Sequence, residues 1–264
     1  MGAFLSTWSR LTWFFTIVCV SSLSYGDAYR YGVLDPFHPR TPLPSASIRA
    51  VSFDAQGFAW ITIYSSGLAR YTGDELAVYG VESGISSVAV RELAIDSKGF
   101  IWVGSDKGLS VSKVSANELA SSSEMSFLTQ LGDVQLEQKN IVSGPVWHNE
   151  TNRIYILTAH ELIGYEWPQE ANSKIKVFRR SIEEFGIHAV KVAGNQTWFL
   201  ADRKVIHSVD PFLSQFTSSV MTTPCTKVSA FYRGEKNDWA GCKSGELWYR
   251  TTKGSEAWRL LANY

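Results

Sequence analysis

Between residues 48 and 79 the chain reads as four short β-prone stretches separated by turn residues. Residues 48–53 (IRAVSF) are mostly apolar, which predicts a strand buried on both faces. Asp54-Ala-Gln-Gly57 predicts a tight turn: an Asp side chain bonds the backbone two residues on, and Gly tolerates positive φ. Residues 58–63 (FAWITI) then predict the return strand. Ser65-Ser66-Gly67 predicts the next turn, Leu68 to Tyr71 a third strand, Thr72-Gly73-Asp74 another turn, and Leu76 to Tyr79 a fourth strand. Four antiparallel strands in about 42 residues match one propeller blade. A parallel βαβ fold would need amphipathic helices between the strands, and no helical patterning of comparable strength is seen.

The unit recurs. Residues 90–111 (VRELAIDSKGFIWVGSDKGLSV) align with residues 48–71, so that Asp54 matches Asp96, Gly57 matches Gly99 and Trp60 matches Trp102, all 42 residues apart. Gly67-Leu68 matches Gly108-Leu109 at a spacing of 41. Later copies keep an aromatic anchor in phase, at Tyr155, Trp198 and Trp239, with successive gaps of 42, 53, 43 and 41 along the series. The long gap holds Ser115 to Lys139, with a Ser run at 121–123, and reads as an insertion between blades or an extended outer strand and loop. The pattern predicts an all-β chain, a β-propeller of four-stranded antiparallel blades. About five blades are expected, near residues 48–80, 88–135, 141–180, 187–220 and 226–264. One aromatic at a fixed place per repeat predicts packing in the wedge between blades, where sheets lie ~10 Å apart, rather than a sugar platform. Asp54 and Asp96 are expected to make turns rather than bind metal.

The 264 residues are 45% hydrophobic and 19% charged, which is ordinary globular composition. Aromatics are abundant, with 10 Trp, 11 Tyr and 14 Phe, and they favour strands. Basic and acidic residues balance at 25 each, so the basic footprint a nucleic-acid partner would need is missing. The densest basic stretch (Lys174, Lys176, Arg179, Arg180) reads as a solvated strand face. At the N-terminus Arg10 is the only charge before Asp27. The apolar run LTWFFTIVCV follows it over residues 11–20, and small and polar residues lead from Ser21 to Gly26. This is the pattern of a secretory signal peptide over residues 1–26, and the run is short of the ~20 residues of a membrane span. An uncleaved anchor is the alternative. If Cys19 leaves with that segment, Cys225 and Cys242 remain, and a pair in an exported chain suggests a disulfide. The repeat alignment sets the two on adjacent strands of one hairpin.

The run Asp96-Ser-Lys-Gly99-Phe-Ile-Trp102-Val-Gly104-Ser105-Asp-Lys-Gly108-Leu109 resembles the two-component regulator propeller repeat. Gly84-Ile-Ser-Ser-Val-Ala-Val90 is similar to that family's inter-blade linker. The resemblance is specific over residues 48–111 and weak over 141–250. The first copy departs from it at Thr62-Ile63-Tyr64, where Gly-Thr is usual. The resemblance implies an exported sensor of the bacterial periplasm or extracytoplasmic face. It would be joined in longer relatives to a membrane span and a histidine kinase or diguanylate cyclase, with carbohydrate among the ligand classes. It also implies seven blades, so an incomplete ring is expected.

Candidate chemistry is sparse. His38, His148, His160, His188 and His207 form no H-E-x-x-H pair and no close zinc-ligand spacing. No nucleophile elbow and no phosphate-binding loop is present in the sequence. No catalytic residue, cofactor or metal is therefore assigned, and the chain is not expected to be an enzyme. A sensory or ligand-binding propeller is the leading reading. An envelope interaction scaffold comes next, and a propeller lyase or glycoside-active enzyme after it. A ligand is expected where loops enter the first strand of each blade, near Pro42 to Ser47, Ser83 to Ser87 and Ser143-Gly144, or at the Ser run 121–123.

Overall fold

In the described residues five four-stranded antiparallel sheets follow one another along the chain, each with its strands in sequence order. The computed structural model describes residues 42–119, 124–167, 174–193, 196–208, 212, 219–251 and 257–263. The expected signal peptide over 1–26, His38 and the Ser run at 121–123 lie outside these residues. Blade one comprises β1 (Ile48–Phe53), β2 (Ala59–Ile63), β3 (Gly67–Tyr71) and β4 (Leu76–Tyr79). Blade two comprises β5 (Val90–Ile95), β6 (Ile101–Ser105), β7 (Gly108–Ser112) and a short β8 (Phe127–Leu128). The long gap in the repeat is filled by a 3-10 turn at Ala116–Glu118 and by a separate hairpin, β9 (Gln130–Leu131) with β10 (Val134–Gln135). Blade three is β11 (Ser143–His148), β12 (Arg153–Leu157), β13 (Glu161–Glu166) and β14 (Lys176–Ser181). Blade four is β15 (Ile187–Ala193), β16 (Gln196–Ala201), β17 (Lys204–Ser208) and β18 (Ser219–Thr222). Blade five is β19 (Val228–Arg233), β20 (Asn237–Cys242), β21 (Glu246–Thr251) and β22 (Arg259–Asn263). The fold is thus an all-β propeller, and among the described residues no helix is long and apolar enough to cross a membrane.

The core lies in the wedges between blades. Trp60, fully buried, packs with Leu93, Val103 and Phe127 of blade two. Trp102 does the same against Ile154, Ile156 and Tyr165 of blade three, Tyr155 against Val190 and Phe199 of blade four, and Trp198 against Val228 and Ala240 of blade five. Each such ring removes roughly 200 Å² from water, an upper estimate of about 5 kcal/mol per wedge. Trp239, on the last blade, is only half-buried and lies 5.5 Å from the Tyr249 ring.

The Asp and the Trp of the repeat are joined. One oxygen of Asp54 accepts the N–H groups of Gln56 (3.0 Å) and Phe58 (2.9 Å), while the other accepts the Trp60 indole N–H at 2.9 Å. Asp96 takes the N–H groups of Lys98 and Phe100 and the Trp102 indole, each at 2.9 Å, and also the Trp167 indole at 2.7 Å. One buried carboxylate therefore closes the turn and fixes the wedge ring. The Gly-Leu turns have a different cause. A Cβ on Gly67 would lie 2.2 Å from the Tyr79 carbonyl oxygen, and one on Gly108 2.2 Å from that of Glu137; both residues also have positive φ, 98° and 123°. Only Gly lets the linker chain lie that close.

One expectation is corrected. β1 is not buried on both faces: Val51 is 50% exposed and Phe53 66%. The matching strand β5 is enclosed because blades one and three both pack on it. Among the described residues β1 has a neighbouring blade on one side only, and no strand of blade five makes more than a marginal contact with blade one.

Candidate ligand-binding site

The first strand of every blade carries the same irregularity. Its pairing with the second strand slips between residues 48 and 50, 90 and 92, 143 and 146, 187 and 189, and 228 and 230. The slips leave Arg49, Arg91, Gly144-Pro145, His188 and Ser229 out of register. A β-bulge bends the strand and re-aims the extra residue. Five bulges at one level make a row of variable residues on the face where the inter-blade linkers enter.

Arg49, Tyr64, Arg91, Glu92 and Val142 line a cleft of about 340 Å³ on this face. Tyr64 follows β2 and is fixed by its N–H donating to the Ser47 carbonyl at 2.9 Å. The Arg49 guanidinium lies over the Tyr64 ring, 4.9 Å from its centre, which holds the long side chain in one place. The Arg91 bulge is supported by Thr62, whose hydroxyl donates to the Arg91 carbonyl at 3.3 Å. Glu92 is already matched. One of its oxygens accepts the Gly144 N–H at 2.6 Å and the other meets Lys191 Nζ at 2.9 Å, which ties blade two to blades three and four. Neither Arg49 nor Arg91 has a carboxylate partner among the described residues. The Arg91 Nε is buried without a hydrogen-bond acceptor, an arrangement that costs about 1–3 kcal/mol when a donor stays unmatched. The cleft is therefore cationic, with one apolar edge at Val142.

The loops expected to bind ligand contribute differently. Arg49 and Arg91 emerge just beyond Pro42 to Ser47 and Ser83 to Ser87, and Val142 just before Ser143-Gly144. Ser86 itself is used in the frame, bonded to Ser105 Oγ at 3.0 Å and accepting at the same time from Ser110 Oγ at 3.1 Å. Ser143 Oγ accepts the Val190 N–H of blade four at 3.2 Å. Sequence reasoning did not single out Arg49 and Arg91. The available signal was an Arg at the same repeat position in both copies, 42 residues apart.

The described histidines are dispersed. His148 is buried beside Thr151 (3.0 Å), and exposed His160 meets Glu183 at 2.8 Å. His207 packs on Trp198 at 4.7 Å between ring centres; burial, and then the charge of Arg233, hold its imidazole below the ordinary histidine range. His188 stands in the bulge row, with its Nε2 bonded to the Val228 carbonyl of blade five at 2.7 Å. Among the described residues no three His, Cys, Asp or Glu side chains gather as a metal site. A disulfide joins Cys225 and Cys242, with Cα atoms 5.1 Å apart. Cys225 is not on a strand, however: it sits in the loop ahead of β19, and Val228 is the strand residue opposite Cys242.

Fold and bulge row together define a β-propeller with a ligand-sized cleft on one face. No known family profile matches the chain and no curated protein matches it. Solved structures do. Virginiamycin B lyase from Staphylococcus aureus aligns at 10% identity and TM-score 0.56, covering 83% of this chain and 71% of that one. An ancestral GH74 enzyme aligns at 14% identity and TM-score 0.57, over 84% of this chain and 32% of its own. The extracellular domain of a protein described as a hybrid two-component system from B. thetaiotaomicron aligns at 13% identity and TM-score 0.56, over 84% and 29%. This chain thus spans about a third of the last two. At these identities the likeness is one of fold, and enzymes and an extracellular domain of a described two-component system share it.

Proposed function

We propose that this chain is an exported sensory or ligand-binding propeller of the two-component receptor type, with the linker-side face as its binding surface. The observation that carries this reading is the cleft at the bulge row, where the chain offers polar side chains that the frame does not use. The Asp-x-x-Gly-Phe-x-Trp…Gly-Leu repeat supports it, and so does the shared fold with an extracellular two-component domain. A small molecule, carbohydrate included, is the expected partner, and no nucleic acid is. Export predicts a mature chain beginning near Asp27, to be read by N-terminal sequencing of protein recovered from the cell envelope.

The direct test is a thermal-shift screen of purified protein against sugars and small organic acids. A binder of the native state should raise the melting temperature saturably. If nothing does, and a protein partner co-purifies in fixed proportion, the chain is an envelope scaffold instead. Turnover of any screened compound that is lost on replacing His188 would favour the enzyme reading.

A further inference from the structure

We propose that the cleft between blades one and two is a site for a compact carboxylate-bearing molecule, with Arg49 and Arg91 as its anion-binding pair. This rests on the reading of the chain as a ligand-binding propeller and names the ligand class of that same cleft.

Three observations lead to it. First, the two arginines occupy the same repeat position, and both are set out of register by a bulge, so both emerge on the linker-side face into one cleft. Second, their charge is not consumed by the frame. Among the described residues Arg49 has the Tyr64 ring and no carboxylate, and Arg91 has no carboxylate and a buried, unmatched Nε–H. The acid in the cleft, Glu92, is committed to Gly144 and Lys191. Third, the volume of about 340 Å³ is at the small end of ligand pockets, so the ligand is compact. Guanidinium groups bind carboxylate and phosphate through paired N–H donors, and a concave setting strengthens the field of two like charges. Val142, which also lines the cleft, gives the ligand body an apolar surface. The carboxylate class is favoured over phosphate because each carboxylate sets a single charge beside Glu92, against nearly two on a phosphate, and among the described residues no further cation lines the cleft.

Isothermal titration at low salt tests this, using the full purified chain with citrate, glucuronate, inorganic phosphate and glucose. We expect one or both carboxylates to bind saturably at one site, and glucose not to bind. Arg49→Gln and Arg91→Gln should each weaken that binding about tenfold or more, and Lys236→Gln, at an exposed cation in the turn between β19 and β20, should not weaken it. Neither arginine variant should melt below the parent, because neither guanidinium fastens the frame and Arg91→Gln removes an unmatched buried Nε–H. Phosphate binding with no response to citrate or glucuronate would assign the site to phosphate esters and overturn the carboxylate class. Glucose binding that survives both substitutions would overturn the anion site and leave a ligand-binding propeller standing. Silence from all four probes overturns the proposal; only a further silent thermal-shift screen would remove the ligand-binding reading with it.

Discussion

Replacing Asp96 with Asn tests the clasp that links turn and wedge. The side chain keeps its shape, and its Oδ1 can still accept from Lys98 and Phe100, each at 2.9 Å. The other oxygen becomes an NH2 group facing two indole donors, Trp102 at 2.9 Å and Trp167 at 2.7 Å. Both bonds are lost. A hydrogen bond to a charged group contributes about 1.5–3 kcal/mol. Trp102 is buried and belongs near the upper end, while Trp167 is half-buried and belongs near the lower. We expect Asp96→Asn to cost about 3–5 kcal/mol. Asp54→Asn removes one indole bond, from Trp60 at 2.9 Å, and should cost about 1.5–3 kcal/mol. The comparison is informative because the two turns have the same geometry and differ by one donor. Urea unfolding followed by fluorescence and far-UV circular dichroism gives the midpoint and slope, and only a midpoint shift at constant slope counts. In a Trp167→Phe background, Asp96→Asn should fall to the Asp54→Asn value within about 0.5 kcal/mol. If Asp96→Asn costs no more than Asp54→Asn in the parent, the second indole bond contributes nothing and this account of the motif fails.

Gly108→Ala sets a Cβ 2.2 Å from the Glu137 carbonyl oxygen at a φ of 123°, so we expect a loss of several kcal/mol or no folded protein, read as soluble yield and melting temperature. Gly57→Ala, at a φ of 85° with nothing within 4 Å, should cost only about 1 kcal/mol. His207 is depressed first by burial and then by Arg233, so the folded chain binds its proton less readily than the unfolded one. The stability it carries is complete above the ordinary histidine range and is lost as pH falls through the folded value. The melting temperature should therefore drop on acidification from about pH 7 to pH 5, and drop less in His207→Gln; equal slopes would rule this out. Cys225→Ser with Cys242→Ser opens a link across a sequence separation of 17 and should cost about 3 kcal/mol. Reductant should shift the urea midpoint of the parent by a similar amount and leave the double variant unmoved.

Much of the frame is readable from spacing alone, because Asp, Gly, Trp and Gly-Leu recur at positions where backbone geometry admits few residues. The coupling of Asp54 to Trp60 is not, although the constant separation of six held the clue. Each residue had a sufficient separate role, turn or wedge, and a role that is already sufficient does not prompt a search for a bond. The exposure of β1 escaped for another reason. IRAVSF and VRELAI read alike, and burial is decided by what packs on the strand rather than by the strand. The degenerate copies hide a change of chemistry at the same end of the hairpin. Blade five fastens it with Asp238, fully buried, bonded to Arg233 at 2.8 Å and Arg250 at 3.1 Å. Blade three uses Arg153 and Glu166 at 2.6 Å. Arg-carboxylate pairs replace the Asp-Trp clasp there, so no Asp-x-x-Gly remains to mark the turn, and the start of β19 after Cys225 could not be placed from the alignment.

The two faces of the propeller divide the work, and the repeat motif connects them. The clasps sit on one face; the Gly-Leu turns, the linkers and the bulge row share the other. Gly67 donates its N–H to the Val88 carbonyl at 3.2 Å, and Asp106 donates to that of Ala89 at 3.3 Å. Both bonds grip the segment that delivers Arg91 into the cleft. In blade two, Gly104 leaves room for the next bulge, since a Cβ there would lie 2.5 Å from the Gly144 carbonyl oxygen. The first blade has Thr62 at the matching place, and its hydroxyl reaches the Arg91 carbonyl instead. The departure from the repeat at Thr62 thus falls beside the bulge that carries Arg91. What recurs in this chain builds the frame, and what varies at the second residue of each first strand (Arg, Arg, Gly-Pro, His, Ser) sets the character of the face. A ligand preference is therefore to be sought in that varied row, not in the tryptophans, which the wedges and clasps already occupy.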